Sequence, residues 1–235
     1  WHRVTGVQTC ALPILDQSES HLAKLEAQLA KEAQAVRRQA AVLLDLRHKA
    51  DARFSKVMTE TLNKLGMPNS RIAFHLEPMK DISPDGASGI ELYFSANTGE
   101  AMQPLAKIAS GGEVSRIALA LKTTGTGQTS DKTMIFDEID VGISGQTGLQ
   151  VADHIRKLSG RGQIFCITHL PQTAAIADHH FFIYKKEADG RTVTQVRSLS
   201  DGEHVLEIAR MFAGNDTTKA SIEAARQIVQ QVKGS

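Results

Sequence analysis

A long stretch without glycine or proline, residues 17–63, most constrains the fold of this chain. Apolar residues recur there at every seventh position: Leu22, Leu29, Val36, Leu43, Ala50 and Val57. The second apolar position of the repeat is filled at two places and interrupted at three: Leu25, Leu46, Glu32, Gln39 and Arg53. Such a repeat predicts a coiled coil, although an interrupted one also suits an amphipathic helix packed on its own domain. In either case the helix needs an apolar partner.

Helix and strand patterns alternate after the breaker at Gly66 and Pro68 that ends this helix. Alternating or continuous apolar runs predict strands over 71–76, 89–95, 133–136, 163–168, 181–186 and 191–197. Asp189-Gly190 between the last two predicts that they form a β-hairpin. Helical spacing predicts helices over 112–122, 146–158, 203–212 and 217–232, and a short one from Pro171. We therefore expect an α/β fold with a parallel sheet core, entered through a long helical arm.

The first residues of the chain differ from the rest. Residues 1–15 begin with Trp1 rather than Met and have no helical periodicity. We expect this lead-in to be non-native or disordered, similar to translated sequencing-adapter sequence. The expected domains are then a lead-in over 1–15, a coiled-coil arm over 16–66 and a globular lobe over 67–235. The chain is expected to be a fragment of a longer protein.

Composition excludes several classes of protein. The formal net charge is +1 and aromatic residues make up 5% of the chain, so composition alone predicts neither a nucleic-acid binder nor a base-stacking surface. Cys10 and Cys166 lie far apart, which excludes a disulfide scaffold and a zinc ribbon. No apolar run approaches the roughly 20 residues of a membrane-spanning helix. We expect a cytoplasmic globular protein without a membrane partner.

Residues 109–113, Ala-Ser-Gly-Gly-Glu, open a predicted helix and form the first of three candidate segments, called here the signature segment. Gly111 and Gly112 would let backbone N–H groups approach an anion at the helix N-terminus. Ser110 could cap the helix or donate its hydroxyl to a phosphate. A Ser-Gly-Gly turn that only caps a helix is common, so this segment alone does not predict a function.

The second segment is the acidic pair that follows the apolar run 133–136. Asp137 and Glu138 would lie at the carboxyl end of a sheet, where α/β proteins bind ligands. We assign Asp137 to Mg²⁺ and Glu138 to the general base that activates a water molecule near a γ-phosphate. The simpler alternative is that the two carboxylates only end a strand at the surface. The turn-rich loop after Glu138 argues against it, because such a loop suits an interface.

The third segment, called here the histidine loop, is Thr168-His169 at the end of a predicted strand. A neutral imidazole there could form a hydrogen bond with a γ-phosphate or with the attacking water. A single histidine at a strand end is more often structural. His179 and His180 invite a metal interpretation, but adjacent residues on a strand point to opposite faces, so shared ligation is not expected.

Together, the order of these segments resembles the C-terminal half of an ABC-type ATPase head. Residues 109–113 match the signature motif, 134–138 the Walker B strand, 139–142 the D-loop and 168–169 the switch-histidine loop. Longer matches over 94–100, 104–113, 135–145 and 168–172 resemble bacterial DNA repair members of the SMC-like group. In that group a long antiparallel coiled coil joins the two halves of one head, so the resemblance identifies residues 17–63 as the returning helix.

The resemblance implies that ATP and Mg²⁺ lie between two heads of a homodimer. One head would supply a P-loop, Asp137, Glu138 and His169. The opposite head would present its signature residues across the interface: Ser110, Gly111, Gly112 and Glu113. Asp140 of the D-loop would help to join the two. The resemblance also implies DNA as a partner, recombination proteins as further partners and a position near the nucleoid.

No P-loop matching G-x-x-x-x-G-K-[ST] is present in the sequence. The segment 125–133 has only a superficial likeness, because Lys132 follows Asp131 rather than glycine and Thr133 opens a strand. We therefore expect the chain to be half of an ATPase that is inactive alone and requires its missing N-terminal half. Two alternatives remain, a non-catalytic coiled-coil scaffold and a transporter ATPase domain. The long arm and Glu113, where transporters usually carry Gln, argue against the second.

Overall fold

The computed structural model describes residues 5–107, 110–125, 133–188, 190–214 and 216–233, and gives only the backbone of residues 5–17, 188 and 233. Several features named above lie outside these ranges. They are residues 1–4 of the lead-in, Ala109 of the signature segment, most of the loop 125–133, and Asp189 of the predicted hairpin turn.

Helix α1 (Thr5–Lys64) begins earlier than the sequence predicts. The backbone of residues 5–15, which we expected to be a disordered or non-native lead-in, continues the same helix. Extending an existing helix adds one hydrogen bond for each residue fixed, so it does not require an apolar repeat in the added residues. The origin of the lead-in stays a prediction. At the other end, Gly66 has a φ of 81°, a conformation that L side chains rarely adopt, and the helix ends just before it.

The chain divides into two compact units, and the first contains residues 1–53 and 74–91. Strands β1 (Arg71–Ser83) and β2 (Gly86–Ser95) extend into it, and both are longer than predicted. Within this unit the Arg47 guanidinium donates to Ser88 Oγ at 2.8 Å and to the Asp85 carbonyl at 2.6 Å. The Phe74 amide donates to the Asp51 carboxylate at 2.7 Å. These bonds attach the β1–β2 hairpin to α1.

The apolar residues of α1 have two different environments. Most members of the seven-residue repeat are exposed: Leu22, Leu25, Leu29, Val36, Leu46 and Val57. Near the end of the helix, Met58 and Leu62, which do not belong to the repeat, and Leu65 just after the helix are fully buried in a core. The helix therefore presents an uncovered apolar stripe along the arm and is anchored in a core at its C-terminal end.

The second unit contains residues 54–73 and 92–235. Its remaining elements, in chain order, are β3 (Gln103–Pro104), a 3₁₀ turn (Leu105–Lys107), α2 (Gly111–Thr124), β4 (Met134–Phe136), α3 (Gly145–Ser159), β5 (Ile164–Cys166), α4 (Pro171–Ala175), β6 (Phe181–Ala188), β7 (Arg191–Ser198), α5 (Asp201–Ala213) and α6 (Lys219–Lys233). β3 pairs antiparallel with β2. The main core packs the end of α1 against α2, α3 and β4.

β4 and β5 form the parallel pair that the sequence predicts. Met134 pairs with Ile164 and Phe136 with Cys166, and α3 connects the two strands. Phe136 faces the core at 6% exposure, whereas Ile135, Phe165 and Ile167 are 69%, 44% and 51% exposed. One face of this pair therefore packs on the core and the opposite face is apolar and exposed.

A smaller core lies near the C-terminus. It joins α4, α5 and α6 through Ala174, Ala175, Ile208, Ala209, Ala225 and Val229. β6 and β7 pair antiparallel along their length, as the hairpin prediction requires. Among the described residues, none of the helices combines the length and the apolar character that crossing a bilayer requires. The predicted α/β fold with a long N-terminal helix is confirmed.

Candidate functional site

The signature segment begins helix α2. Ser110 is the N-cap residue, and its hydroxyl oxygen accepts a hydrogen bond from the Glu113 amide at 3.5 Å. Of the two roles considered for Ser110, the structure therefore contains the cap. Gly111 is exposed and Gly112 is buried. Only part of the predicted pair of glycines is open to solvent.

The two glycines lie against the loop that follows β4. A Cβ atom at Gly111 would be 2.3 Å from Glu138 Oε2. A Cβ atom at Gly112 would be 3.1 Å from the Glu138 carbonyl oxygen and 3.3 Å from Val141 Cβ. A side chain at position 112 would meet backbone, which moves less easily than the end of a glutamate. The glycines thus permit the signature segment to lie close to Glu138 of the same chain.

Two side chains of α2 attach this helix to the same loop. Ser115 Oγ donates to the Asp137 carbonyl at 2.6 Å. The Arg116 guanidinium donates to the carbonyls of Val141 at 2.8 Å and Ile139 at 3.3 Å. Arg116 is buried, and desolvation lowers its pKa although Glu113 and Asp140 oppose this shift. The signature helix and the loop 137–141 are therefore one hydrogen-bonded assembly.

The acidic pair ends β4 as predicted, and both side chains are exposed. Glu138 has a φ of 57°, which makes it the non-glycine residue with a left-handed backbone in the described part of the chain. This conformation costs of order 1 kcal/mol or more and persists only where the surroundings impose it. Here the surroundings are the bonds from Ser115 and Arg116 on both sides of Glu138. The predicted general base is therefore held in a strained backbone.

Asp140 connects this loop to the histidine loop. It is 1% exposed. Its Oδ2 accepts hydrogen bonds from Thr168 Oγ1, from the His169 amide at 2.8 Å and from the Leu170 amide at 3.1 Å. Its Oδ1 lies 3.3 Å from His169 Nδ1. These contacts are within one chain, and the predicted role of Asp140 in joining two heads stays a prediction.

The imidazole of His169 faces solvent, since 67% of its side chain is exposed. The strand before it carries Cys166, whose thiol has its pKa raised to about 12 by burial and, secondarily, by the negative charges of Asp140 and Asp137. The protonated thiol is therefore a packing group here and not a nucleophile.

The structure brings the three predicted segments together by two sets of contacts. The signature glycines adjoin Glu138, and Asp140 binds Thr168 and the backbone of the histidine loop. Sequence reasoning missed Ser115 and Arg116, which connect α2 to the acidic loop. The available signal for Arg116 was a charged residue beside Ile117 and Ala120 on the buried face of the helix.

The residues present fit a magnesium ion only as part of a larger site. In the described ranges, no group of three or more His, Cys, Asp or Glu side chains is arranged to hold a metal ion. Asp137 offers one exposed carboxylate at a strand end. Mg²⁺ takes one or two protein carboxylates and completes its octahedron with water and phosphate oxygens, so the Asp137 carboxylate fits as one donor of such a site.

Curated relatives identify what the chain is similar to. The DNA repair protein RecN of Halalkalibacterium halodurans is 42% identical over 195 residues, covering 81% of this chain and 34% of that protein. RecN of Haemophilus influenzae is 35% identical over 232 residues, covering 98% of this chain and 41% of that protein. The chain thus spans about a third to two-fifths of the length of these relatives.

Two of the solved structures to which the chain is similar are Smc head domains. The head with a coiled coil and joint from Pyrococcus yayanosii is 21% identical, with a TM-score of 0.49, covering 97% of this chain and 38% of that one. The head with an extended coiled coil from Pyrococcus furiosus, bound to the C-terminal domain of ScpA, is 21% identical, with a TM-score of 0.48, covering 88% and 49%. No family model matches the chain.

Proposed function

The chain is a relative of the DNA repair protein RecN, and we propose that it forms the C-terminal half of an ATP-hydrolysing, SMC-like head in such a protein. The arm α1 would pair with a helix from the N-terminal half, which would also bring the P-loop. The exposed apolar stripe of α1 supports this proposal, because such a stripe needs a partner helix.

One observation carries the proposal. The signature glycines, the acidic pair and the histidine loop are separate in sequence but are linked through Glu138 and Asp140. A scaffold has no physical need for this convergence, whereas phosphoryl transfer requires an anion-binding helix start, a metal-binding carboxylate and a base in fixed positions. The exposed stripe of α1 is also compatible with the non-catalytic scaffold, but no feature of this site favours a scaffold.

We assign roles accordingly. Asp137 would hold Mg²⁺, which would supply charge neutralisation at the β- and γ-phosphate oxygens. Glu138 would take the proton of the attacking water, and His169 would orient that water. Ser110, Gly111, Gly112 and Glu113 would meet the γ-phosphate bound by a second head. ATP would therefore join two copies of the complete head, and its hydrolysis would let them separate.

DNA is proposed as the object that such a dimer holds during repair of double-strand breaks and recombination. This part of the proposal depends on the RecN relatives rather than on a basic surface. Recombination proteins would be further partners, and the cytoplasm near the nucleoid would be the place of action.

The central experiment mixes this chain with a separately produced N-terminal half from the same source, carrying the P-loop and the first arm helix. ATP hydrolysis is measured by phosphate release for each half alone and for the mixture. We expect background rates for each half and turnover only in the mixture. Glu138→Gln should reduce that turnover by at least about 100-fold, since it removes the base but keeps the side-chain shape.

The matched control is Glu187→Gln, the same change at an exposed position of β6. It should leave turnover in the mixture unchanged. Hydrolysis by this chain alone that disappears with Glu138→Gln would contradict the half-head proposal. A mixture that forms a complex but binds no ATP would favour the scaffold.

A further inference from the structure

The contacts of Asp140 suggest more than anchoring of a loop. Its two carboxylate oxygens have different partners. Oδ2 takes the three donors of the histidine loop, from Thr168, His169 and Leu170. Oδ1 faces one ring nitrogen, His169 Nδ1, at 3.3 Å. The carboxylate thus holds the histidine loop by hydrogen bonds and lies beside one edge of the imidazole.

An ionised carboxylate can only accept hydrogen bonds, so a ring nitrogen that lies 3.3 Å from Oδ1 is favoured there as an N–H group. A neutral imidazole has one donor nitrogen and one acceptor nitrogen, and the partner of one decides the state of the other. With Nδ1 turned to Asp140, the proton belongs on Nδ1 and Nε2 is the acceptor. The His169 side chain is 67% exposed, so its imidazole is accessible to a ligand from solvent.

We propose that Asp140 is a positioning residue that fixes the Nδ1–H tautomer of His169 and turns Nε2 outward as an acceptor. The functional part of this inference rests on the proposed ATPase. A neutral Nε2 acceptor can receive a hydrogen bond from the attacking water but cannot donate one to a phosphate oxygen. Of the two partners considered for His169, the water is therefore the one that this arrangement suits.

The substitution Asp140→Asn separates orientation from anchoring. The amide oxygen of Asn can keep the three donors that Oδ2 now accepts, because it occupies the same place with the same acceptor character. The amide nitrogen then replaces Oδ1 and can direct one of its two N–H groups toward Nδ1. A neutral ring in the same position can accept this bond only with Nδ1 as the acceptor, which moves the proton to Nε2. If Asp140 only anchored the loop, Asp140→Asn should not change the tautomer of His169.

The test is nitrogen-15 NMR of the imidazole rings in this chain, at a pH well above the ordinary imidazole range so that neutral rings are observed. His169→Gln identifies the His169 signals among the nine histidines. We expect a protonated Nδ1 in the unaltered chain and a protonated Nε2 with Asp140→Asn. Asp153→Asn, the same change at an exposed carboxylate of α3, should leave the His169 signals unchanged.

A protonated Nε2 in the unaltered chain would overturn the proposal, and so would an identical tautomer in the folded Asp140→Asn variant. If that variant does not fold, the unaltered chain decides alone, because the observed ring state is the claim itself. In the mixture with the N-terminal half, Asp140→Asn should lower turnover about tenfold or more with little change in the half-saturating ATP concentration. Absence of turnover in the unaltered mixture would overturn the proposed function but not the tautomer assignment.

Discussion

Individual residues around β4 and β5 are held in states that the surrounding structure imposes. Glu138 has a left-handed backbone, and Arg116 is buried in contact with carbonyls of the same loop. The pKa of the Cys166 thiol is raised to about 12, so the thiol stays protonated well above its ordinary pKa. Each state depends on contacts between residues distant in sequence, which local patterns do not encode. Substitutions at these positions should therefore report on the environment rather than on the intrinsic preference of the residue.

The backbone at Glu138 gives a prediction about stability. Glycine adopts φ near 57° without the steric cost that any Cβ carries, whereas alanine keeps that cost. We expect Glu138→Gly to be more stable than Glu138→Ala by about 1 kcal/mol, although both remove the carboxylate. Urea unfolding of the two variants measures this difference. Equal stability, or a less stable glycine variant, would mean that the left-handed conformation is not strained in solution.

The Cys166 thiol gives a prediction about reactivity. Burial raises its pKa to about 12, so the thiolate is scarce at pH 8.5 in the folded chain and much more abundant after unfolding. With Cys10→Ser present to remove the other cysteine, alkylation by iodoacetamide at that pH should be at least about tenfold slower in buffer than in urea. Mass spectrometry follows the reaction. Similar rates in both solutions would show that the thiol is not shielded.

At the scale of elements, the sequence predicted the start of α2, strand β4 and the β6–β7 hairpin best. The glycine pair predicted the start of α2, the apolar run 133–136 predicted β4, and Asp189-Gly190 predicted the β6–β7 hairpin. These features depend on local backbone preference and periodicity. The link between Asp140 and the histidine loop joins residues about 30 positions apart, and no periodicity signals it. The residues of the site were therefore predictable, whereas the hydrogen bonds that connect its segments were not.

Helix α5 supplies a prediction about acid stability. Glu203 accepts hydrogen bonds from the Ser200 amide at 2.9 Å and from Arg197 at 2.6 Å, and these bonds lower its pKa from 4.5 to about 2. Because the pKa is lowered in the folded state, the stabilisation that ionised Glu203 gives to the fold is present above pH 4.5 and is lost as the pH falls toward 2. Glu203→Gln should therefore be less stable near neutral pH and should lose less stability across that window.

The comparison uses urea unfolding at several pH values between 2 and 6. Glu223→Gln is the matched control, since Glu223 pairs with Arg226 on the exposed surface of α6 at 3.4 Å. It should keep the pH dependence of the unaltered chain. A Glu203→Gln variant with that same dependence would show that the helix cap does not govern acid unfolding.

At the scale of the whole molecule, the apolar residues of α1 divide into buried and exposed sets along one continuous helix. Leu62 is 0% exposed in the core of the second unit, whereas Leu29 is 70% exposed on the arm. The seven-residue repeat includes Leu29 but not Leu62, and it records apolar character rather than which partner covers a residue. Whether an apolar residue of α1 is buried depends on the folded unit to which its part of the helix belongs.

The same substitution at these two positions gives the corresponding prediction. Leu62→Ala should lower the free energy of unfolding by about 2–5 kcal/mol, because it leaves a cavity in a packed core. Leu29→Ala should change it by less than about 0.5 kcal/mol in this chain alone. Urea unfolding followed by circular dichroism measures both. If Leu29→Ala cost as much as Leu62→Ala, the arm would be covered by another helix in solution, as in self-association.

The uncovered face of the β4–β5 pair has a consequence for the cell. Ile135, Phe165 and Ile167 present aliphatic and aromatic surface that water solvates poorly. If the chain is half of an ATPase head as proposed, copies produced in excess over the other half would retain this surface and become clients of chaperones and proteases. Matched synthesis of the two proposed halves, most simply as one continuous polypeptide, would then spare the cell that turnover.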